Sequence, residues 1–352
     1  MKLRIATYNV EWMNNLFVPG KAKLRISKGQ GMGRQVDAPS TVAQKIASLI
    51  DLIDPEILGI QEGPAKIEQM HFFVEQFLGG RFEVYGVESG AQSIYALVKK
   101  NLDLRVRQMD PDHRLYELLG TPTPFQPWGE YNSPKQHRMD RPPVILMLGK
   151  KGLRPIELVV VHTKSQFSQG LTIRKFLDRE PTAMKAAILA RQKLSAEIAA
   201  YRRHVTHMIL SRKASGVILI GDLNDGFGKS VFETEFLLQS LIDELRGSFR
   251  RQSALLEHAF DEHQLVGRNA YSVDFKDPSA PGKITRELID HILMTPQIRQ
   301  NLGWLRFQTG SGRIGHEESA KFTDNRGLKG DERPSDHLPV WADFEYDAQT
   351  VS

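Results

Sequence analysis

What most constrains this chain is a recurring pair: a short apolar run rich in β-formers, closed at its end by an acid, an amide or an imidazole. Ile5-Ala6-Thr7-Tyr8-Asn9-Val10 is followed by Glu11, and Ile57-Leu58-Gly59-Ile60 by Gln61-Glu62. Val159-Val160-Val161 meets His162, and Val217-Ile218-Leu219-Ile220 meets Gly221-Asp222-Leu223-Asn224. Asp290-His291 interrupts Leu288-Ile289 and Ile292-Leu293, and Ser335-Asp336-His337 stands just before Leu338-Pro339-Val340. Continuous apolar runs of this kind suit strands buried on both faces, which need helices or a second sheet to cover them.

The covering elements are legible between the runs. Val42, Ile46, Leu49, Ile50 and Ile53 fall at helical spacing up to Pro55, and Ile67, Met70, Val74 and Phe77 repeat the pattern. The longest helix is predicted from near Pro181, with the stripe Met184, Ile188, Leu194, Ile198, Tyr201, Val205 and Met208. Further strands are expected at 82–85, 94–98, 104–109, 144–148, 156–161 and 339–344, and a short helix after Lys229. A Pro-rich loop runs from Thr121 to Pro143. No repeat, low-complexity block or linker divides the chain, so one α/β domain over 1–352 is expected, with helices outside its sheets.

Composition narrows the chemistry. Hydrophobic residues at 40% and charged residues at 25% are globular rather than disordered values. With no cysteine, a zinc–thiolate site, a Cys nucleophile and a disulfide framework are all excluded. No apolar run approaches a membrane span. Tyr8, Asn9 and Glu11 break the N-terminal run too early for a signal-peptide core, so a cytoplasmic location without stable membrane association is expected. The 47 Lys and Arg exceed the 42 Asp and Glu by five, a mild preference for an anionic partner. Part of that surplus lies in the loop 19–40, where Lys21, Lys23, Arg25, Lys28 and Arg34 face one acid, Asp37. That loop reads either as a solvated segment or as a functional one.

Taken singly, an Asp or Asn after a strand is a turn or a cap, and a lone His is a hydrogen-bonded structural residue. Six strand ends with the same habit form a pattern. Carboxylates, amides and imidazoles converging without any thiol suit a hard, oxygen-bound divalent cation and phosphate chemistry.

Thr7-Tyr8-Asn9-Val10-Glu11-Trp12, Gln61-Glu62, Arg141-Pro142-Pro143, His162-Thr163-Lys164-Ser165, Gly221-Asp222-Leu223-Asn224, Ile289-Asp290-His291-Ile292-Leu293 and Ser335-Asp336-His337-Leu338-Pro339-Val340 resemble the successive motifs of the endonuclease/exonuclease/phosphatase superfamily. Each motif is short, but all occur in order between residues 5 and 344. The resemblance implies a four-layered α/β sandwich, two mostly antiparallel sheets face to face with helices outside. It also implies Mg²⁺- or Mn²⁺-dependent phosphoester hydrolysis at one sheet edge. By the same match, Glu62 is the principal metal carboxylate, with Asn9, Glu11 and Asp336 in or near the coordination shell. Asp290 orients His337, Asp222 and Asn224 position water and phosphate, His162 donates to a phosphate oxygen or helps the leaving group, and Arg141 supplies a fixed positive charge. Whether Asp222 or His337 takes the water's proton stays open at this level.

The chain departs from its relatives in instructive places. Glu11 stands where a shorter acid or amide is common. The acid that partners the first histidine in deoxyribonuclease-like members is matched by Glu88 only if the register permits. A lysine, Lys164, follows two residues after His162. Thr285-Arg286-Glu287-Leu288 replaces the Gly-Trp-Arg segment of abasic-site endonucleases, and the lack of Cys excludes the inositol-phosphatase signature. The expected substrate is nucleic acid, DNA first, because Lys and Arg contacts to phosphate supply most non-specific affinity. Trp12, Phe17, Trp128 and Tyr131 are candidates to stack on bases, and equally candidates to pack. The alternatives are a phosphodiesterase or phosphatase acting on a lipid headgroup or small phosphoester, and a catalytically silent scaffold.

Overall fold

The computed structural model describes residues 1–26, 33–90, 92–110, 123–125, 135–166, 172–228, 233–234, 239–276, 284–322 and 332–347. Its strands in chain order are β1 (Lys2–Asn9), β2 (Ile57–Gly63), β3 (Phe82–Val87), β4 (Ser93–Lys99), β5 (Arg105–Gln108), β6 (Thr123–Phe125), β7 (Lys135–His137), β8 (Val144–Gly149) and β9 (Ile156–His162). They continue as β10 (Gly216–Asp222), β11 (Glu257–His258), β12 (Val273–Lys276), β13 (Ile284–Glu287), β14 (Asp290–Met294), β15 (Leu305–Phe307), β16 (Arg313–Ile314) and β17 (Val340–Tyr346).

One sheet runs β15-β17-β1-β2-β4-β3 with β16 beside β17, and the other runs β11-β14-β10-β9-β8-β5. Neighbours are antiparallel except for one parallel pair in each sheet, β1 with β2 and β9 with β10. A parallel pair needs a crossover, and helices supply it. Helix α1 (Pro39–Ile53) joins β1 to β2, and the long helix α3 (Pro181–Leu210) lies between β9 and β10. Helix α2 (Ile67–Phe77) packs beside α1.

Three apolar layers explain why this order is stable. Leu3, Ile5, Ile57, Val160, Ile220 and Phe344 belong to the core between the sheets. Ile46, Leu49, Met70 and Phe73 seal the first sheet against α1 and α2, and Leu194, Ile198, Val205 and Met208 seal the second against α3. The helical stripes expected from the sequence are therefore the buried faces, and the four-layered sandwich is the observed architecture. The sheets approach closely where Gly59 lies, since a Cβ there would meet Val160 Cγ1 at 2.7 Å.

Boundaries differ from the sequence reading by up to three residues, as at Lys2 of β1 and Gly63 of β2. Two larger differences matter. The hairpin β12–β13 was not expected, because its four-residue strands, Val273–Lys276 and Ile284–Glu287, carry no continuous apolar run. In the early basic loop, Leu24 bridges back to Phe17, Arg34 is buried rather than solvated, and Lys28 lies outside the described residues. The helix expected after Lys229 begins outside the described residues, as do Trp128 and Tyr131. Among the described residues, no helix is long and apolar enough to cross a membrane.

Candidate active site

Strand direction brings the polar ends together. In a parallel pair both strands finish at one edge, so Asn9 pairs in register with Gln61, and Asp222 with His162. Antiparallel neighbours start where these finish: Asp290, first residue of β14, lies opposite Asp222, and β17 begins opposite Thr7. The segment Ser335–His337 therefore arrives at the same edge just before β17. Each of these side chains emerges from a buried strand, which is why Asn9, His162, Asp222 and Asp290 are almost fully buried.

The turns that follow share one device. Asn9 Oδ1 accepts from the Glu11 amide at 3.0 Å, Asp222 Oδ1 from the Asn224 amide at 2.8 Å, and Ser335 Oγ from the His337 amide at 3.0 Å. In each case a short polar side chain closes a turn onto the amide two residues ahead. Glu11, Trp12, Glu62 and Asn224 adopt left-handed φ values of 46°, 54°, 56° and 49°, unusual without glycine. The register of β2 against β4 shifts between Ile60 and Gly63, a bulge that contains Glu62.

Within the cluster, Asn9 Nδ2 donates to Asp222 Oδ2 at 2.9 Å and to Glu62 Oε1 at 3.4 Å, so one amide ties the two sheets. Glu62 Oε2 accepts from the Trp12 amide at 2.8 Å. Asp290 Oδ2 meets His337 Nδ1 at 2.7 Å, and His337 Nε2 stands 3.9 Å from Asp222 Oδ2. His162 Nε2 lies 3.5 Å from Asp222 Oδ2 and 3.9 Å from Glu62 Oε1. Arg141 comes within 3.1 Å of the His162 ring and donates to the Thr163 carbonyl at 2.6 Å, the oxygen that Asn224 Nδ2 also reaches at 3.0 Å. Of the ten sequence-predicted residues, Asn9, Glu11, Glu62, Arg141, His162, Asp222 and Asn224 are thus linked by hydrogen bonds, directly or through the Thr163 carbonyl; the Asp290–His337 pair stands 3.9 Å from Asp222, and Asp336 joins through its amide, which donates to Glu11 Oε2 at 2.9 Å.

Electrostatics divides their roles. Burial pulls the His337 imidazole down, but Asp290, Asp222 and Asp336 outweigh it and hold it well above its ordinary value, so it is charged. Burial, then Arg141, His337 and Lys164, hold His162 well below its ordinary value, so it is neutral. Asp222 is pushed up to about 7 by burial, with Asp290 adding and His337 opposing. Glu11 is also pushed up to about 7, by burial and then Asp336, against the pull of Arg333 and Arg34.

Several residues that the sequence did not assign to the site complete it, Arg34 of the early basic loop among them. Arg333 grips both oxygens of Glu11 at 3.0 and 2.5 Å, and Arg34 Nη1 stands 3.4 Å from Oε2. Arg34 also donates to the carbonyls of Glu11, Arg333 and Pro334. On α3, Glu197 accepts from the Lys164 amide at 2.8 Å and Arg191 donates to Asp225 at 3.0 Å, fixing the loops after β9 and β10. Ser272 Oγ accepts from the Asp290 amide at 3.1 Å. These partners lie far away in sequence and carried no local signal beyond their charge. Glu88 does not serve His162: it pairs with Lys66 at 2.8 Å and caps the Ile67 amide at 3.0 Å. Gln92 stands nearer, accepting from Arg141 at 3.1 Å.

The carboxylates at this edge fit a hard divalent ion, which takes oxygen ligands. Asp222 and Asp290 each offer an oxygen within 4.8 Å of the other, and the buried Asp290 Oδ1 has no hydrogen-bond partner among the described residues. Glu62 Oε1 lies beside them on the amide it shares with Asp222, Asn9 Nδ2. His337, charged, donates rather than ligates.

No protein-family model matches the chain, and neither does any curated protein sequence. Solved structures do. An AP endonuclease, LMAP, from Leishmania major superposes with a TM-score of 0.55 at 14% identity, over 98% of this chain and 88% of that one. TDP2 from C. elegans gives 0.52 at 15% identity, over 97% and 75%. TDP2 from D. rerio, complexed with a single-strand DNA product, gives 0.50 at 14%, over 98% and 99%. At such identities the likeness is one of fold.

Proposed function

For a chain with the fold of the endonuclease/exonuclease/phosphatase superfamily, we propose divalent-metal-dependent hydrolysis of phosphodiester bonds, with nucleic acid, DNA first, as substrate. The observation that carries this reading is the convergence of Glu62, His162, Asp222, Asp290 and His337 at one sheet edge with opposed protonation preferences. The whole chain, 1–352, acts as one catalytic unit in this reading.

Glu62 and Asn9 would hold the ion, Mg²⁺ or Mn²⁺. Glu62 is the carboxylate of the cluster whose contacts are neutral: two N–H donors and the uncharged His162. Glu11 and Asp336 stand behind it, their negative charge shared with Arg333 and Arg34. The ion when bound polarises a phosphoryl oxygen and neutralises developing charge.

The chain's own groups do the rest. A general base works best with its pKa near the operating pH, which assigns the water's proton to Asp222, pushed up to about 7. His337, held charged and oriented by Asp290, stabilises the negative charge that develops on phosphate. His162 and Arg141 donate to non-bridging or leaving oxygens, and Asn224 keeps the Asp222 carboxylate in place.

The test is cleavage of supercoiled plasmid, linear DNA and RNA with Mg²⁺ or Mn²⁺ by the wild type and by His337→Ala, with a lipid and a small phosphodiester in parallel. Metal-dependent nicking that vanishes in the variant supports the reading. Intact nucleic acids beside a hydrolysed small ester transfer the same site to a lipid headgroup or small phosphoester, and no hydrolysis at all leaves a binding scaffold.

A further inference from the structure

A second feature lies away from the catalytic edge. Residues 199–215, covering the end of α3 and the turn after it, include Arg202, Arg203, Arg212 and Lys213 and no acid. Residues 245–256 include Arg246, Arg250 and Arg251 and no acid. Those seven cations exceed the surplus of five carried by the entire chain, so the rest of the molecule is net acidic. Asp243 and Glu257 share this surface, Asp243 standing 3.7 Å from Arg246, and Glu244 is next to Asp243 in sequence.

The two stretches are held together by Arg202. Its guanidinium donates to the carbonyls of Leu245 at 2.9 Å, Arg246 at 3.1 Å and Ala254. These partners and the Thr206 hydroxyl are uncharged, with Glu244 the acid that acts on it, and Arg202 lines a cleft of about 530 Å³ together with Arg203, His207 and Arg251. An adjoining cavity of about 760 Å³ is lined by Arg246, Phe249 and Gln297 and by the acids Asp243 and Glu257. Phe249 is 79% exposed, flanked in sequence by Arg250 and Arg251, all three on the surface.

The place of this face in the fold says what size of ligand uses it. Helix α3 ends just before β10 begins at Gly216, and β11 pairs with Leu293 and Met294, the end of β14 away from Asp290. The length of β10, about 20 Å at ~3.3 Å per residue, therefore separates this face from Asp222. One ligand touching both is a polymer.

We propose that this face binds single-stranded nucleic acid, holding a flank of the strand whose phosphodiester lies at the catalytic edge. Clustered arginines track a phosphate backbone, and an exposed aromatic ring among them stacks on a base only if that base is unpaired. The choice of polyanion rests on the phosphodiesterase reading above; the charge segregation and the exposed ring do not.

The experiment measures anisotropy of a fluorescein-labelled 30-nucleotide single strand with the full chain in EDTA, so that binding is read without cleavage. Arg203, Arg250 and Arg251 are exposed, and their triple replacement by Gln is checked for an unchanged urea midpoint. Removing three phosphate contacts at ~0.7 each lowers the slope of log Kd against log salt by about 2, with affinity near 0.1 M salt weakened at least about tenfold. Phe249→Ala weakens the same strand by about fivefold or more. Equal affinity and slope in wild type and triple variant overturn the proposal. So does capture by phosphatidylserine vesicles with no binding of the strand, or tighter binding of duplex with no effect of Phe249→Ala. Because no metal is present, the slope change stands if the cleavage assay is silent, and cleavage with an unchanged slope removes this surface alone.

Discussion

Removing Arg34 tests whether the early basic loop is a structural part of the site. The side chain is 2% exposed and donates to the carbonyls of Glu11, Arg333 and Pro334 while pairing with the Glu11 carboxylate at 3.4 Å. Arg34→Ala strands the buried carbonyl oxygens of Glu11 and Pro334 and the half-buried one of Arg333, and a buried acceptor without a donor costs about 1–3 kcal/mol. The lower bound for the two buried ones is about 2 kcal/mol, and breaking a buried ion pair costs ~3–5 kcal/mol. Glu11 keeps Arg333, so the upper figure is not reached by adding the two. Expected is a loss of about 3–5 kcal/mol in urea unfolding monitored by tryptophan fluorescence. Arg34→Lys keeps the charge without the fork and falls between. In a double-mutant cycle with Glu11→Gln, the coupling is about 1–2 kcal/mol, within the range for groups sharing a network. A loss below about 1 kcal/mol for Arg34→Ala, the size of an ordinary surface change, refutes the reasoning.

Three further outcomes are expected. His258 Nδ1 accepts from the Phe260 amide at 3.0 Å and its Nε2 meets His291 Nδ1 at 3.1 Å, while His291 Nε2 donates to the Asp225 carbonyl at 2.8 Å; this relay admits only neutral rings. Burial pushes His291 down to about 4 against the raising effect of Asp225 and Asp290, so between an unfolded value near 6.5 and about 4 the unfolded chain binds more protons. Stability therefore falls as pH drops through that window, by about 3 kcal/mol for this residue at ~1.36 kcal/mol per unit; urea midpoints at pH 7 and pH 4.5 that drop no further in the wild type than in His291→Gln would contradict it. Gly221, at φ 141°, has no room for a Cβ, which would lie 1.9 Å from the Val161 carbonyl oxygen, so Gly221→Ala costs more than about 3 kcal/mol and displaces Asp222. A midpoint shift under about 1 kcal/mol would show that β10 can slide without penalty. Glu62→Gln weakens Mn²⁺ binding, followed by electron paramagnetic resonance, at least about tenfold, and unchanged binding would move the ion to Asp222 and Asp290.

How much of this was legible in advance depended on range. The strands and their polar ends were readable because an apolar run and the residue that closes it are neighbours in sequence, and burial acts on them locally. The stripes of α1 and α3 were readable for the same reason, since 3.6-residue periodicity is a local consequence of one apolar face. The hairpin β12–β13 was not, because its strands are only four residues each, and the register that sets Asp274 opposite Arg286 is made by the fold rather than by either segment alone.

Sequence by itself determined that six strands deliver an acid, amide or imidazole to their ends, that no thiol chemistry is present, and that helices cover the sheets. Only the tertiary structure decided that these ends share one edge, because parallel pairing of β1 with β2 and of β9 with β10 is a matter of strand direction across the sheet. It also decided protonation. Asp222 and Asp290 are the same residue type after similar apolar runs, yet Asp290 bonds the charged His337 at 2.7 Å while Asp222, pushed up to about 7, stands 3.9 Å from it. Arg34 makes the same point from the other side. In sequence it is one cation among five in a loop, and it becomes part of the site only because the chain returns 300 residues later to place Pro334 beside it.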